Sequence, residues 1–200
     1  MIDLSPYDAL IFDMDGTLID SMPAHLDAWE ISCKHFGYEV EREFIHALGG
    51  VPSEQTARIL NDKFGLDHDP KAVSQHKMKT WESLGRLPEI IEHTVAIARD
   101  HQGKKPMGIG TGSKHLHARE MLAHTQIAHL FDTLVAACDV EQGKPHPETF
   151  LKVAAELNAD PARCVVFEDT QIGLQAAHAA GMDCILVTAT GLELYPHPER

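Results

Sequence analysis

Two aspartates that are one residue apart, Asp13 and Asp15, directly follow an apolar run near the beginning of the chain. The run covers residues 9–12, and Gly16 and Thr17 come straight after the second aspartate. A short apolar run that ends in a turn signal predicts a buried strand, and open α/β sheets bind their ligands where such strands end. Two neighbouring carboxylates repel each other, and a Mg²⁺ ion, which binds carboxylate and phosphate oxygens, would relieve the repulsion. The alternative is a pair of solvated loop acids.

Further apolar runs alternate with segments of helical periodicity. The later predicted strands are residues 105–110, 133–137, 163–167 and 182–187. The predicted helices beside them are residues 89–102, 114–124, 147–158 and 171–180. Strands that alternate with helices form parallel sheets with helices packed on their faces, so the pattern predicts an α/β fold.

The region between the first and second predicted strands interrupts this alternation. It has no β-branched run, and its periodicity predicts four helices, at residues 23–36, 40–47, 53–63 and 70–84. A stretch of about 65 residues is long for a simple crossover, so we expect a helical insert rather than helices that merely cover one face of the sheet. The predicted division is a core of residues 1–20 and 88–200 with an inserted helical domain of residues 21–87.

A glycine-rich segment follows the second predicted strand. Thr111 lies between two glycines, and Ser113 comes next, at the start of a predicted helix. Small residues let backbone N–H groups approach an anion, and the positive end of the helix dipole favours that anion. The segment therefore predicts a phosphate-binding turn in which the Thr111 hydroxyl donates to a phosphoryl oxygen. A plain glycine-rich turn, with Ser113 as the N-cap of the helix, is the alternative.

Charged residues follow the next two predicted strands. Lys144 is a lone cation among acids after the third strand, where it could neutralise a nucleophile or hold a phosphoryl group. A solvated surface lysine is the alternative. Glu168 and Asp169 end the fourth strand, either as metal ligands or as acids that stabilise the start of the following helix. Four strand ends thus carry residues that suit chemistry on a phosphate.

Together, these four segments resemble motifs I to IV of the haloacid-dehalogenase-like phosphohydrolases, in the same order and over essentially the whole chain. The resemblance implies a Rossmann-like three-layer α/β core with a parallel sheet and an inserted helical cap. It implies that Asp13 is the nucleophile, that Asp15 is the general acid and base, and that Thr111 and Lys144 hold the phosphoryl group. It also implies a Mg²⁺ cofactor held by Asp13, Asp15 (through its backbone carbonyl), Glu168 (directly or from the outer shell) and Asp169.

The helical insert resembles the cap of the β-phosphoglucomutase-like branch. His25 matches a histidine that helps to position the acid/base, and Lys77 lies where that branch has a cap lysine that reaches the substrate. Mutases carry an arginine in a cap loop for the distal phosphate, and Ser53 lies at about that place in this chain. The absence of the arginine removes a strong charge-assisted contact with a second phosphate, which favours a phosphatase over a mutase.

The motifs look most like those of bacterial fructose-1-phosphate-type sugar phosphatases. The resemblance therefore implies hydrolysis of small sugar phosphates through an aspartyl-phosphate intermediate. The candidate substrate-binding residues are Gly112, Ser113, His25, Ser53 and Lys77, with Glu54 as a further candidate in the cap. A β-phosphoglucomutase-like isomerase and a non-catalytic phosphate-ligand-binding protein on the same fold are the alternatives.

Composition restricts the partners and the compartment. A formal net charge of −13 argues against nucleic acid and anionic membranes as partners, and no apolar run approaches the ~20 residues of a membrane span. The beginning of the chain shows no signal-peptide pattern, and the four cysteines lack Cys-x-x-Cys spacing. We therefore expect a cytoplasmic monomer or small homo-oligomer that acts on a small phosphorylated metabolite. The histidines without metal-site spacing, expected at solvated helix positions, are His115, His117, His124 and His129.

Overall fold

The computed structural model describes residues 2–85, 88–188 and 190–199. Its helices are α1 (Met22–Phe36), α2 (Arg42–Ala47), α3 (Ser53–Phe64), α4 (Pro70–Leu84), α5 (Glu92–His101), α6 (His115–His124), α7 (Glu148–Glu156) and α8 (Gln171–Ala179). Its strands are β1 (Ala9–Phe12), β2 (Ile19–Asp20), β3 (Glu89–Ile90), β4 (Met107–Gly110), β5 (Thr133–Val135), β6 (Cys164–Glu168), β7 (Asp183–Thr188) and β8 (Gly191–Tyr195). The predicted helices and strands are all present, with their ends shifted by a few residues.

Six strands form the central sheet, in the order β5-β4-β1-β6-β7-β8. The first five strands in this order run parallel, whereas β8 runs antiparallel to β7. The predicted α/β fold with a parallel sheet core is confirmed, and the antiparallel edge strand β8 is an addition that the sequence did not predict. Strand β8 is half exposed and has no continuous apolar run, so it lacks the sequence signal that marks the buried strands.

A second, two-stranded sheet pairs β2 with β3 in antiparallel orientation, with Ile19 opposite Ile90. The prediction that a helix begins at residue 89 is wrong, because α5 begins only at Glu92. The Ile91 N–H donates to the Leu18 carbonyl at 2.9 Å, and this bond holds the segment extended before the helix. The small sheet brings together the points at which the chain enters and leaves helices α1 to α4.

Helices pack on both faces of the central sheet, as a three-layer core requires. Leu10 and Phe12 of β1 belong to an apolar cluster with residues of α5 and α6. Ala9 and Ile11 of the same strand belong to a second cluster with residues of α7 and α8. All four side chains are fully buried. Alternate residues of one strand point to opposite faces, so a strand covered on both faces has a continuous apolar sequence.

Helices α1 to α4 have an apolar cluster of their own. It is formed by Trp29, Cys33, Tyr38, Ile45, Ala57, Leu60 and Val73. Ala24, Ala28 and Trp81 instead join the cluster of the central sheet, so the helical segment also packs against the core. The cap of residues 21–87 stays a prediction, and residues 86 and 87, at its end, lie outside the described residues.

Across the described ranges, each helix is too short or too polar to cross a lipid bilayer.

Candidate active site

The carboxyl ends of three neighbouring strands hold the first group of predicted site residues. Strands β4, β1 and β6 are adjacent in the sheet, so Thr111, Asp13 and Glu168 converge where these strands end. The Asp13 N–H donates to the Phe167 carbonyl and the Thr111 N–H donates to the Val135 carbonyl, each at 2.9 Å. These bonds extend the sheet pairing past the strand ends. The rigid sheet therefore fixes the backbone of the predicted nucleophile.

Lys144 joins two of the carboxylates. Its Nζ lies 2.6 Å from Oδ1 of Asp13 and 2.8 Å from Oε1 of Glu168. The second oxygen of Glu168 accepts from the backbone N–H of Thr170 at 2.7 Å and from its hydroxyl at 2.8 Å. A Cβ at Gly173 would lie 1.9 Å from the Glu168 carboxyl carbon, so only glycine fits there. Glu168 is thus held rigidly, with hydrogen bonds to both of its oxygens.

The charges of this carboxylate cluster are unbalanced. Burial and the neighbouring Glu168 carboxylate raise the pKa of Asp13 to about 7, although Lys144 opposes the shift. Burial, with the charges of Glu168 and Asp13, also raises the pKa of Asp169 well above its usual value. Burial alone would lower the pKa of Lys144, but Asp13 and Glu168 outweigh burial and raise it. One lysine is not enough to neutralise the two buried acids and the half-buried Asp169.

The cluster is suited to a hard divalent cation. Carboxylate oxygens of Asp13, Glu168 and Asp169 lie within 4.8 Å of one another. A donor set made only of oxygens suits Mg²⁺, and the raised pKa values of Asp13 and Asp169 show that additional positive charge would stabilise the ionised acids. The side chain of Asp15 lies in a different cluster, so only its backbone is left as the predicted ligand.

Asp15 points toward the helical segment. Its Oδ1 accepts from the Ser21 hydroxyl at 2.5 Å and lies 3.4 Å from Nε2 of His25. Its Oδ2 accepts from the Ser113 hydroxyl at 2.8 Å. The N-cap position of α6 is Lys114, so Ser113 is not the helix cap, and its hydroxyl contacts the predicted acid/base instead.

The surroundings of Asp15 favour its ionised form. Burial would raise its pKa, but the hydrogen bond and charge of His25, the charge of His117 and the Ser21 hydroxyl together hold the pKa below its usual range. Burial and the Lys77 charge lower the pKa of His25 to about 4. At neutral pH, Asp15 is therefore a carboxylate beside a neutral imidazole.

Two helices extend this group of side chains. Nζ of Lys77 on α4 lies 2.6 Å from Nδ1 of His25, and burial lowers the pKa of Lys77 to about 8. The Trp81 ring stacks on His25 with 5.6 Å between centroids. His117 on α6 packs edge-on against Trp81 at 4.5 Å. The expectation that His117 is solvated is wrong, because apolar packing between α4 and α6 leaves only 6% of it exposed.

A loop of the helical segment closes over the strand ends. A Cβ at Gly112 would lie 2.4 Å from the Gly50 carbonyl oxygen, and a Cβ at Gly50 would lie 3.5 Å from Cδ of Lys144. Gly50 also has φ of +80°, which favours glycine. Beneath this loop, Asp13, Asp15 and Thr111 line a cavity of about 70 Å³. That volume accommodates a few water molecules.

A larger cavity of about 690 Å³ adjoins the small one, between α3, α4 and the start of α6. The five predicted substrate-binding residues line both cavities: Gly112, Ser113, His25, Ser53 and Lys77. Glu54 lines the larger cavity, and its carboxylate lies 3.4 Å from Nζ of Lys114. The role of each of these residues toward a substrate stays a prediction.

Sequence reasoning missed three residues of this region. Thr170 binds Glu168 while it caps α8, and its place before a helical run is a usable N-cap signal. Trp81 and His117 reach the site only because α4 packs beside α6. Their helical spacing indicates a buried face and carries no sign of what that face covers.

Comparisons with known proteins agree with this geometry. The family model described as haloacid dehalogenase-like hydrolase matches residues 10–187. The fructose-1-phosphate phosphatase YqaB of Escherichia coli (strain K12) is 39% identical over 181 residues, which cover 90% of this chain and 95% of that protein. A phosphorylated carbohydrates phosphatase of Thermotoga maritima is 29% identical over 182 residues, which cover 89% of this chain and 83% of that protein.

A solved structure shares the fold. The β-phosphoglucomutase of Clostridium difficile superposes with a TM-score of 0.79 at 24% identity, covering 91% of this chain and 85% of that one. This likeness concerns the fold alone. The family match spans nearly the whole chain, and the strand-end residues that suggested it converge in space. The chain belongs to the haloacid dehalogenase-like hydrolase family.

Proposed function

We propose that this enzyme is a Mg²⁺-dependent phosphatase that hydrolyses small sugar phosphates, such as fructose 1-phosphate, through an aspartyl-phosphate intermediate. The chain is a phosphoric monoester hydrolase of the haloacid dehalogenase-like family, and the proposal adds its metal, intermediate and substrate class. The observation that supports it is the placement of Asp13 and Asp15 in the wall of one small cavity, with different neighbours. A nucleophile and a proton-transfer group are thus near each other but are not hydrogen-bonded to the same partners.

Asp13 is proposed as the nucleophile. An oxygen of its carboxylate forms a bond to phosphorus while the bond from phosphorus to the leaving sugar oxygen breaks. Lys144 keeps the Asp13 carboxylate in place, and the Thr111 hydroxyl is free to donate to a phosphoryl oxygen because it accepts, rather than donates, in its bond with the Ser113 N–H at 3.0 Å. Such fixed donors stabilise the negative charge that spreads over the phosphoryl oxygens.

Asp15 is proposed as the general acid and base. It gives a proton to the departing sugar oxygen, and its carboxylate then takes a proton from the water that attacks the aspartyl-phosphate. Since the present surroundings keep Asp15 ionised, the negative phosphate that enters the cavity must raise its pKa before the first step. Ser21, Ser113 and His25 hold the carboxylate on the side of the cavity that faces the helical segment.

The Mg²⁺ site is assigned to Asp13 and Asp169, with Glu168 as an outer-shell acceptor because both of its oxygens already accept hydrogen bonds. When bound, Mg²⁺ would neutralise the charge shared by the carboxylates and the phosphoryl group. The backbone carbonyl of Asp15 is the further ligand that the family resemblance implies. The residues lining the two cavities, His25, Ser53, Lys77, Gly112 and Ser113, are proposed to contact the sugar.

A mutase is the second candidate, because the chain shares its fold with a β-phosphoglucomutase. The cap loop argues against it. Residues 49–53 of that loop read Gly-Gly-Val-Pro-Ser and contain no arginine for a second phosphate. A guanidinium binds phosphate with two parallel hydrogen bonds, and serine offers only one neutral donor.

The test is phosphate release from a panel of sugar phosphates, with Mg²⁺ and with a chelator, for wild type and Asp13→Asn. We expect Mg²⁺-dependent release that falls by at least ~1,000-fold in the variant. Trapping of radiolabelled phosphate on wild type after acid quenching would identify the intermediate. Conversion of β-glucose 1-phosphate only after a bisphosphate is added would instead establish the mutase. Silence in both assays would contradict both proposals and favour a binding protein.

A further inference from the structure

A second cluster of potential metal ligands lies beside the carboxylate cluster and shares none of its residues. A carboxylate oxygen of Asp15 and ring nitrogens of His25 and His117 lie within 4.8 Å of one another. The three residues come from the loop after β1, from α1 and from α6, so tertiary packing alone brings them together. Two imidazoles and one carboxylate form a donor set unlike that of the all-oxygen cluster.

His117 has a nitrogen that the protein does not use. Its Nε2 is buried and makes no hydrogen bond to any of the residues 2–85, 88–188 or 190–199. A buried polar atom without a partner destabilises the folded protein. The ring is nevertheless held firmly, edge-on to Trp81 at 4.5 Å and to His25 at 5.4 Å between centroids. Packing accounts for the position of the ring but leaves its nitrogen unsatisfied.

The spacing of the ligand atoms suits a tetrahedral metal ion. Bonds of ~2.0–2.1 Å from Zn²⁺ to nitrogen or oxygen place neighbouring ligand atoms ~3.4 Å apart. Nε2 of His25 already lies 3.4 Å from Oδ1 of Asp15. The His117 ring nitrogen lies within 4.8 Å of both atoms, so a small movement of its side chain would bring it into the same coordination shell. Imidazole nitrogens favour Zn²⁺, Co²⁺, Ni²⁺ and Cu²⁺ over Mg²⁺, which prefers oxygens.

We propose that Asp15, His25 and His117 form a second metal site that selects ions of the Zn²⁺ type over Mg²⁺ and inhibits the enzyme when it is filled. The inhibition follows because a cation bound to the Asp15 carboxylate opposes its protonation; this part rests on the proposed function. The Ser113 hydroxyl donates to the other oxygen of this carboxylate, Oδ2, at 2.8 Å.

Lys77 sets a condition on the loaded site. A metal on Nε2 of His25 leaves the ring proton on Nδ1, and Nζ of Lys77 lies 2.6 Å from that nitrogen. Two donors cannot face each other, so Lys77 accepts a hydrogen bond from Nδ1–H as a neutral amine or moves away. Metal binding therefore either removes the charge of Lys77 or displaces its ammonium group from His25.

The test uses Co²⁺ as a visible probe of the whole protein in excess Mg²⁺. Tetrahedral Co²⁺ with nitrogen ligands gives strong visible absorption, which we expect for wild type and for Asp169→Asn, a variant of the other cluster. We expect affinity to fall by at least ~10-fold in His117→Ala and in His117→Phe, which keeps the ring packing against Trp81. His124→Ala, an exposed histidine on the same helix, is the matched control and should bind Co²⁺ like wild type.

The second arm measures inhibition of phosphate release by Zn²⁺ at fixed excess Mg²⁺. Both His117 variants should need at least ~10-fold more Zn²⁺ for half-inhibition than wild type and His124→Ala. Absorption that is missing in wild type, or that is equal in wild type and both His117 variants, overturns the inference. If wild type hydrolyses no sugar phosphate but His117-dependent Co²⁺ absorption is present, the proposed function fails and the metal site stands.

Discussion

Asp13 and Asp15 are separated by one residue, yet their carboxylates lie in opposite electrostatic environments. Asp13 is buried among acids with one lysine, and its pKa is raised to about 7. Asp15 is half-buried, but two hydroxyls and a histidine bind it, and its pKa is held below the usual range. The first environment favours the binding of a cation, and the second already stabilises a carboxylate through neutral donors. Partners from other elements, more than the Asp-x-Asp spacing, give each acid its properties.

The two buried lysines also differ in their surroundings, and the variants of these lysines should show the largest difference in stability. Lys144 binds two carboxylates, whereas Lys77 binds a neutral imidazole. Lys144→Met should lower the free energy of unfolding by ~3–5 kcal/mol, because it leaves buried acids unpaired. Lys77→Met should change the free energy of unfolding by ~1 kcal/mol or less at pH 7, because removal of a buried charge offsets the loss of its hydrogen bond with His25. Chemical denaturation of both variants measures the difference.

The pH dependence of Lys77→Met sharpens the comparison. The folded-state pKa of Lys77 is about 8 and its ordinary value is 10.5, so the native protein holds fewer protons between these values. The stability of wild type should therefore rise with pH across that window, and any advantage of Lys77→Met should shrink. Equal losses of stability in Lys77→Met and Lys144→Met would show that the two lysines have equivalent surroundings and would break the contrast.

Asp13→Asn gives the next largest effect, on metal-free protein. The pKa of Asp13 is about 7 in the folded protein and about 3.8 in the unfolded chain. The ionised carboxylate therefore destabilises the native state at pH 8. The variant should then be more stable than wild type at pH 8, and the difference should disappear as the pH falls from about 7 to below 4. Thermal unfolding in chelator, repeated with Mg²⁺, is the measurement.

Mg²⁺ should stabilise wild type clearly more than Asp13→Asn, because binding to the native state alone raises its stability. Asp15→Asn serves as the matched control, since its side chain lies outside the carboxylate cluster. The same Mg²⁺ stabilisation in wild type and in Asp13→Asn would contradict the assignment of Asp13 to the metal site.

The smallest expected effect is on catalysis, and it concerns the contact between Gly112 and the loop at Gly50. Gly112→Ala places a methyl group 2.4 Å from the Gly50 carbonyl oxygen, so the cap loop must move away. We expect kcat/KM for the best substrate of the panel to fall by ~10-fold, because displacement of a closing loop misplaces the groups around the phosphate. Ser113→Ala, which changes the neighbouring residue without a clash, should leave loop position unchanged in limited proteolysis. Unaltered kinetics in Gly112→Ala would mean that closure of this loop is not required.

The core of the site could be predicted because its residues follow strand ends. An apolar run and a turn place Asp13, Thr111 and Glu168 at one edge of a parallel sheet, whatever the loops between them do. The contacts of Lys144 were harder to predict, because the sequence showed only that it follows β5. Its contacts with Asp13 and Glu168 depend on the path of the loop that carries it. Local spacing therefore predicted which residues lie close together, but not that Lys144 bonds to both Asp13 and Glu168.

The side of the site that faces the helices could not be predicted in the same way. His117 and Trp81 have the spacing of ordinary buried helix residues, and only the packing of α4 beside α6 brings them to Asp15. Ser113 was predicted to bind substrate, and the sequence carried no sign that its hydroxyl also donates to Asp15. Strand β8 was missed because an edge strand with one exposed face has a weak apolar signal. Tertiary contacts between distant helices leave little trace in local sequence.

The small cavity under the cap loop has a consequence for which acceptor receives the phosphoryl group. The cavity beside Asp13 measures about 70 Å³ and admits water, whereas the adjoining cavity of about 690 Å³ has room for a sugar. Under the proposed mechanism, a second sugar molecule would have to enter the larger cavity after the first alcohol has left it. Water needs no such exchange, because the small cavity already accommodates it. The unequal sizes of the two cavities would then favour hydrolysis over transfer, without any residue dedicated to that choice.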